Sequence, residues 1–90
     1  MGYIESSAAQ VIADSNIVLV GTDAESIAAT FDEYRTHRIL ALNDKVILEN
    51  LDLEDINGGS DYTLSAFPIR LDGLEAAPCR AILFEQEKGF

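Results

Sequence analysis

His37 and Glu49 are the two residues of this 90-residue chain whose types and spacing indicate chemistry. His37 is the only histidine, and Glu49 follows the apolar run Val46–Leu48, which is typical of a buried strand. Imidazole and carboxylate groups are both ligands of divalent metals. A catalytic zinc takes three protein ligands and a water, so this pair is not a complete site. The chain therefore borrows its missing ligands, has lost them, or binds no metal and has His37 as a polar residue on a helix.

The other candidate residues of the sequence have structural interpretations that need no catalytic or binding role. Gly21–Asp23 follows a predicted strand but lacks the further glycines and the lysine of a phosphate-binding loop, so it indicates a tight turn. Cys79 is the only cysteine and has no histidine near it in sequence, which favours a buried structural thiol. Asp52, Glu54 and Asp55 precede an Asn-Gly-Gly break and are typical of a solvated loop rather than an acid–base pair.

Length and charge exclude several classes of protein. Ninety residues predict one small domain over residues 1–90, and an apolar fraction of 48% is too high for a disordered chain. Six basic and sixteen acidic residues give a net charge of −10, which would repel nucleic acid and anionic lipid. Neither a basic leader with an apolar core nor a membrane-length apolar run is visible, so we expect a cytoplasmic location without a membrane partner.

The first half of the chain alternates helices and strands. Apolar residues at helical spacing predict a helix over Ser6–Ala13 and a second over about Thr30–Leu42, with His37 near its middle. The runs Ile17–Val20 and Lys45–Leu48 have no polar alternation, which predicts two parallel strands covered on both faces. The fold class is therefore α/β, with short helices packed on a mixed sheet.

The second predicted helix is amphipathic. Phe31, Tyr34, Ile39 and Leu42 fall on one side of it and are expected to pack inward. Charged residues such as Arg38 are expected to lie outward.

The second half of the chain is predicted to be all β. A break at Asn57–Ser60 precedes the alternating strand Tyr62–Phe67, which Pro68 interrupts. A turn at Leu71–Leu74 then precedes a last strand at Cys79–Phe84.

Several of these segments resemble the C-terminal part of one family, the cyclase family of metal-dependent hydrolases, which includes kynurenine formamidase and isatin hydrolase. The similar segments cover nearly the whole chain in one register: Leu19–Ile27, His37, Ile47–Leu51, Ala66–Arg70, Gly73 and Ala77–Ala81.

This resemblance implies a metal site and an activity. In the family, a helix histidine and a strand-end glutamate contribute to a zinc or manganese site, and the matching positions are His37 and Glu49. The family hydrolyses amide, ester or lactam carbonyl groups. Its other ligands and its acid–base histidine lie in an N-terminal motif, His-x-Gly-Thr-His-x-Asp, which this sequence lacks. We therefore expect no catalytic residue in this chain and no activity of the chain alone.

The resemblance also implies a fold and partners. The family fold is a swivelling β/β/α domain, which would be built only in part here, as from a truncated or split gene. Strands that pair with an absent half would leave open edges and apolar faces. We therefore expect either a separately encoded N-terminal hydrolase half, which would complete the site, or a non-catalytic module that forms homo-oligomers.

Overall fold

The computed structural model describes residues 3–73 and 76–86, and the chain divides into two units, residues 1–54 and 55–90. The elements of the first unit are α1 (Ser6–Ala13), β1 (Leu19–Gly21), a 3-10 turn (Thr30–Asp32), α2 (Glu33–Leu42) and β2 (Val46–Leu48). The second unit contains β3 (Tyr62–Pro68) and β4 (Cys79–Glu85). Two short helices and two small sheets in the described residues confirm the α/β class. A single domain over residues 1–90 stays a prediction.

Helices α1 and α2 pack together around a small core. Its buried residues are Ala9, Ile27, Ala28 and Leu40, with half-buried aliphatic side chains around them. The backbone N–H of Ser6, at the start of α1, donates a hydrogen bond to the Asp32 carboxylate at 2.8 Å. That carboxylate satisfies an amide that the helix itself leaves without a partner, so the 3-10 turn also caps α1.

The predicted inner face of α2 is largely wrong. Phe31, Tyr34 and Leu42 are 88%, 75% and 70% exposed, whereas Thr36 and Leu40 are fully buried. The helix begins at Glu33, and Phe31 lies in the preceding 3-10 turn, which has three residues per turn. This turn changes the angular register that one continuous helix from Thr30 would have. Tyr34 and Leu42 lie within α2 itself, on the side away from the i, i+4 pair Thr36 and Leu40, which faces the core.

Strands β1 and β2 are parallel, as predicted, with Leu19 opposite Val46 and Gly21 opposite Leu48. The expectation that both strands are covered on both faces is wrong at their first residues. Ile17 and Val18 lie before β1 and are exposed, as is Val46. The strands are three residues long and form a two-stranded sheet, so the small core reaches only their later residues.

Strands β3 and β4 are antiparallel, and their positions confirm the prediction for the second half. Tyr62 is opposite Glu85 and Pro68 is opposite Cys79. The predicted turn between the strands ends at Leu74, which lies outside the described residues; within them, Gly73 has a φ of 81°, a value that favours glycine. Strand β3 ends at Pro68. Proline has no backbone N–H to donate to a neighbouring strand, which is consistent with the end of the strand at this residue.

No helix in residues 3–73 and 76–86 has both the length and the apolar character needed to cross a membrane.

Candidate metal centre

The fold brings His37 and Glu49 into direct contact. His37 lies in the middle of α2, and Glu49 directly follows the last residue of β2. Only Asn43–Lys45 separate these two elements, and the amide of Lys45 donates to the Leu40 carbonyl at 2.9 Å. This short turn folds β2 back along α2. His37 Nε2 is 3.0 Å from Glu49 Oε2, so the two positions that the resemblance assigns to one metal site do lie in contact.

The imidazole of His37 is held by its own helix. Nδ1 lies 2.9 Å from the carbonyl oxygen of Glu33, one turn earlier, and a carbonyl only accepts, so Nδ1 is the donor. The side chain is 31% exposed. Histidine ligands of metals commonly donate their second ring N–H to a backbone carbonyl, which fixes the ring and its tautomer. The arrangement therefore leaves Nε2 as the nitrogen that faces the site.

The carboxylate of Glu49 is held by the loop that follows β1. The backbone N–H of Ile27 donates to Glu49 Oε2 at 2.9 Å, the same oxygen that faces His37. The side chain is 29% exposed. An amide donor fixes the orientation of the carboxylate. Both members of the pair are thus oriented by backbone groups, which sequence reasoning had not identified because every residue has them.

The environment of His37 favours its charged form. Burial lowers the pKa of His37, but the hydrogen bond to the Glu33 carbonyl, the hydrogen bond and charge of Glu49, and the charge of Glu33 together raise it above 6.5. When His37 is protonated, Nδ1 and Nε2 both donate, and the two side chains form an ion pair. A metal cation would take the place of the Nε2 proton.

The geometry of the pair fits two ligands of one metal. Two atoms that are each about 2.0–2.2 Å from a tetrahedral zinc lie roughly 3.3–3.6 Å apart. The observed 3.0 Å between Nε2 and Oε2 is close to this separation. Within residues 3–73 and 76–86, no three His, Cys, Asp or Glu side chains are grouped so as to hold a metal. A complete centre would need further ligands, and metal binding stays a prediction.

The remaining sequence candidates lie outside the His37–Glu49 contact. Gly21 is the last residue of β1 rather than part of a turn, and a Cβ there would lie 2.8 Å from Leu51 Cδ1, so the Leu51 side chain would have to shift. The Asp52 carboxylate accepts a hydrogen bond from the Glu54 amide at 3.2 Å in an exposed loop. Cys79 is half-buried in β4, so the expected burial of its thiol is found only in part.

The Glu49→Gln substitution is expected to lower the pKa of His37, because it removes a charge that raises this pKa. His37 is the only histidine, so one imidazole signal in an NMR titration reports the change. A pKa raised above 6.5 stabilises the fold below pH 6.5, and this contribution is lost as the pH rises through the folded-state pKa. Glu49→Gln should therefore reduce the free energy of unfolding more at about pH 6 than at about pH 8.5.

The matched control for this titration is Asp52→Asn. Like Glu49→Gln, it replaces one carboxylate by an amide, but at an exposed position. It should leave the His37 pKa close to that of the unchanged chain. An unaltered pKa in Glu49→Gln would contradict the ion pair.

Comparisons with known proteins agree with the resemblance found in the sequence. No family profile matches the chain. Cyclase-like protein 3 of Oryza sativa subsp. japonica is 38% identical over 86 residues, which are 94% of this chain and 32% of that protein. Kynurenine formamidase of Bordetella petrii is 40% identical over 75 residues, which are 82% of this chain and 35% of that protein.

A solved structure shows the same fold. It is described as a potential metal-dependent hydrolase with cyclase activity, and it matches with a TM-score of 0.82 and 34% identity. The match covers 94% of this chain and 42% of that one. Sequence and fold together make this chain a relative of the cyclase-family metal-dependent hydrolases, and it spans about a third of the length of its curated relatives, as a C-terminal part would.

Proposed function

We propose that this chain supplies His37 and Glu49 as two ligands of a zinc or manganese site in a cyclase-family hydrolase. The observation that supports this most is the 3.0 Å separation of Nε2 and Oε2, with each side chain oriented by a separate backbone group. The remaining ligands would come from the part of such a hydrolase that has no counterpart in this chain. They would belong to a separately encoded half or to further sequence of the same protein.

The reaction class follows from the relatives and from the donor set. Kynurenine formamidases are named among the relatives, so we propose hydrolysis of an amide, ester or lactam carbonyl, with an aryl formamide as the first substrate to test. A divalent metal, when bound, polarises such a carbonyl and lowers the pKa of water. Within this chain, the Glu33 carbonyl keeps the Nδ1 proton of His37 in place, and Ile27 N–H keeps Oε2 of Glu49 toward the site.

The chain alone is proposed to be inactive. Two ligands do not hold a catalytic metal in the geometry that hydrolysis needs.

We also propose that the chain acts in the cytoplasm, since a single cysteine suits a reducing compartment. Fractionation of the source cells would test that location.

A chimaera tests the proposed function. In kynurenine formamidase of Bordetella petrii, the segment of 75 matching residues is replaced by this chain. The chimaera is expected to retain bound zinc or manganese and to hydrolyse an aryl formamide, whereas the isolated chain supplied with either metal should not. A folded chimaera that holds no metal would contradict the proposal, and so would turnover by the isolated chain that is lost in His37→Ala.

A non-catalytic homo-oligomeric module is the second candidate function. The observation that favours it is an exposed apolar face on the β3–β4 ribbon, where Phe67, Ile82 and Phe84 alternate along the strands on one side. Two-stranded ribbons are only marginally stable in water without a covered face. A second copy of the chain could cover this one.

Sedimentation tests the self-association directly. We expect the purified chain to be a dimer or larger at micromolar concentration, and Phe84→Lys to shift it toward the monomer. The control is Val11→Lys, which places the same charge on an exposed position of α1. A compact monomer of the unchanged chain would contradict this candidate.

A further inference from the structure

The loop after β1 is joined to the segment after β2 by three backbone hydrogen bonds. Thr22 N–H donates to the Leu48 carbonyl at 2.9 Å, and the Thr22 carbonyl accepts from Leu51 N–H at 3.0 Å. Asn50 N–H donates to the Ala24 carbonyl at 2.9 Å. Together with the bond from Ile27 N–H to the Glu49 carboxylate, these contacts define the Glu49 cradle, residues 22–27 and 49–51. The loop after β1 thus forms hydrogen bonds to the backbone before and after Glu49, and also to the Glu49 side chain.

Asn50 has a backbone conformation that few residues adopt. Its φ is 59°, in the left-handed region, where asparagine is tolerated and β-branched residues are strongly disfavoured. The side chain is exposed, so its backbone conformation rather than burial explains the residue. The conformation directs Asn50 N–H to Ala24 immediately after Glu49 leaves the strand.

Thr22 determines the other side of the cradle. It is only 9% exposed, and its Oγ1 accepts a hydrogen bond from Ala24 N–H at 3.1 Å. Ala24 is fully buried, so its amide would lose this partner if the hydroxyl were removed. Ala24 also provides the carbonyl oxygen that accepts the hydrogen bond from Asn50 N–H. Thr22 Oγ1 therefore orients the residue that carries this acceptor.

We propose that Thr22 and Asn50 are positioning residues, which hold the Glu49 carboxylate against Ile27 N–H and His37 Nε2. The inference rests on the proposed function in one respect, namely that this carboxylate is a metal ligand. The positioning itself depends only on the hydrogen bonds of the cradle. Partners that orient a metal ligand typically change metal affinity 10–100-fold when they are lost.

Two positive-φ residues provide a matched pair for the test. Asp44 has a φ of 57° in the turn that folds β2 back along α2, and its backbone N–H bonds to Ala41 rather than to the cradle, so Asp44→Val is a control for backbone strain near the same pair. Asn50→Val and Asp44→Val introduce the same side chain at nearly the same φ, and Asn50→Gly removes the side chain without strain. A difference between the two valine variants therefore reports the cradle rather than a general loss of stability.

The first measurement is amide hydrogen exchange in the chain, with Ile27 N–H compared with Leu40 N–H in the same sample. Leu40 is fully buried in the core and reports general opening. Asn50→Val is expected to speed exchange at Ile27 relative to Leu40 by about tenfold, with Asn50→Gly and Asp44→Val close to the unchanged chain. Equal ratios in the two valine variants would overturn the proposal.

Thr22 gives a second, independent pair. Thr22→Val keeps the shape and removes the hydroxyl, whereas Thr22→Ser keeps the hydroxyl. We expect Thr22→Val to raise the ratio of the Ile27 exchange rate to the Leu40 exchange rate. Thr22→Ser should keep this ratio close to that of the unchanged chain. If Thr22→Ser behaves like Thr22→Val, the hydroxyl has no positioning role and this part of the inference is overturned.

Zinc retention by the chimaera against a chelator separates the two proposals. Asn50→Val should weaken retention about 10–100-fold relative to Asp44→Val. If the exchange ratios behave as expected but neither variant changes zinc retention, the positioning is supported and the ligand role of Glu49 is contradicted.

Discussion

Replacing His37 with alanine in the chimaera is expected to lower kcat/KM for an aryl formamide by more than about 100-fold. Groups that only orient a metal ligand already account for 10–100-fold effects, so loss of a ligand should exceed them. His37 Nε2 faces the Glu49 carboxylate at 3.0 Å, and no other histidine in the chain could replace it. The bound metal, measured by mass spectrometry, should fall together with the activity.

The adjacent residue is the control for this substitution. Arg38 is exposed on the same helix, and its side chain contacts only Tyr34 among the hydrogen bonds described. Arg38→Ala should keep both metal and activity within a few-fold of the chimaera. Full activity of His37→Ala would show that the histidine is not a ligand.

Leu40→Ala is expected to reduce the free energy of unfolding of the chain by about 2–5 kcal/mol. Leu40 is fully buried between the helices, and the described core contains few other large side chains. A chain of this size has a total stability of only about 5–15 kcal/mol, so the cavity would remove a large share of it. Urea denaturation followed by circular dichroism measures the change.

Leu42→Ala is the matched control, since it deletes the same atoms two residues later on the same helix. Leu42 is exposed, so the expected change is within about 0.5 kcal/mol. Equal effects of the two substitutions would contradict the assignment of Leu40 to the core and of Leu42 to the surface.

The burial of Leu40 and the exposure of Leu42 on α2 differ from the prediction made from the sequence. The spacing of apolar residues located α1, α2 and all four described strands, because periodicity and turn residues are local signals. The inner face of α2 depends on where the helix begins, and the 3-10 turn before Glu33 has no distinct signal in the sequence. This affects Phe31, whereas Tyr34 lies within α2 and was assigned to the core by its apolar ring alone, although the polar residue Thr36 packs there with Leu40.

The candidate site was predicted in part. The residue types and the family resemblance singled out His37 and Glu49, and the structure shows the short turn that brings them into contact. The groups that orient them, the Glu33 carbonyl and Ile27 N–H, are backbone atoms that residue types do not reveal. Asn50 offered a signal that was not used, since asparagine after a strand often marks a positive φ.

A crystal structure of the zinc-loaded chimaera tests the central claim most directly. We predict that His37 Nε2 and Glu49 Oε2 both lie about 2.0–2.2 Å from the same metal ion, with Nδ1 still bonded to the Glu33 carbonyl. A metal bound by other residues, with the direct hydrogen bond between His37 and Glu49 intact, would contradict it.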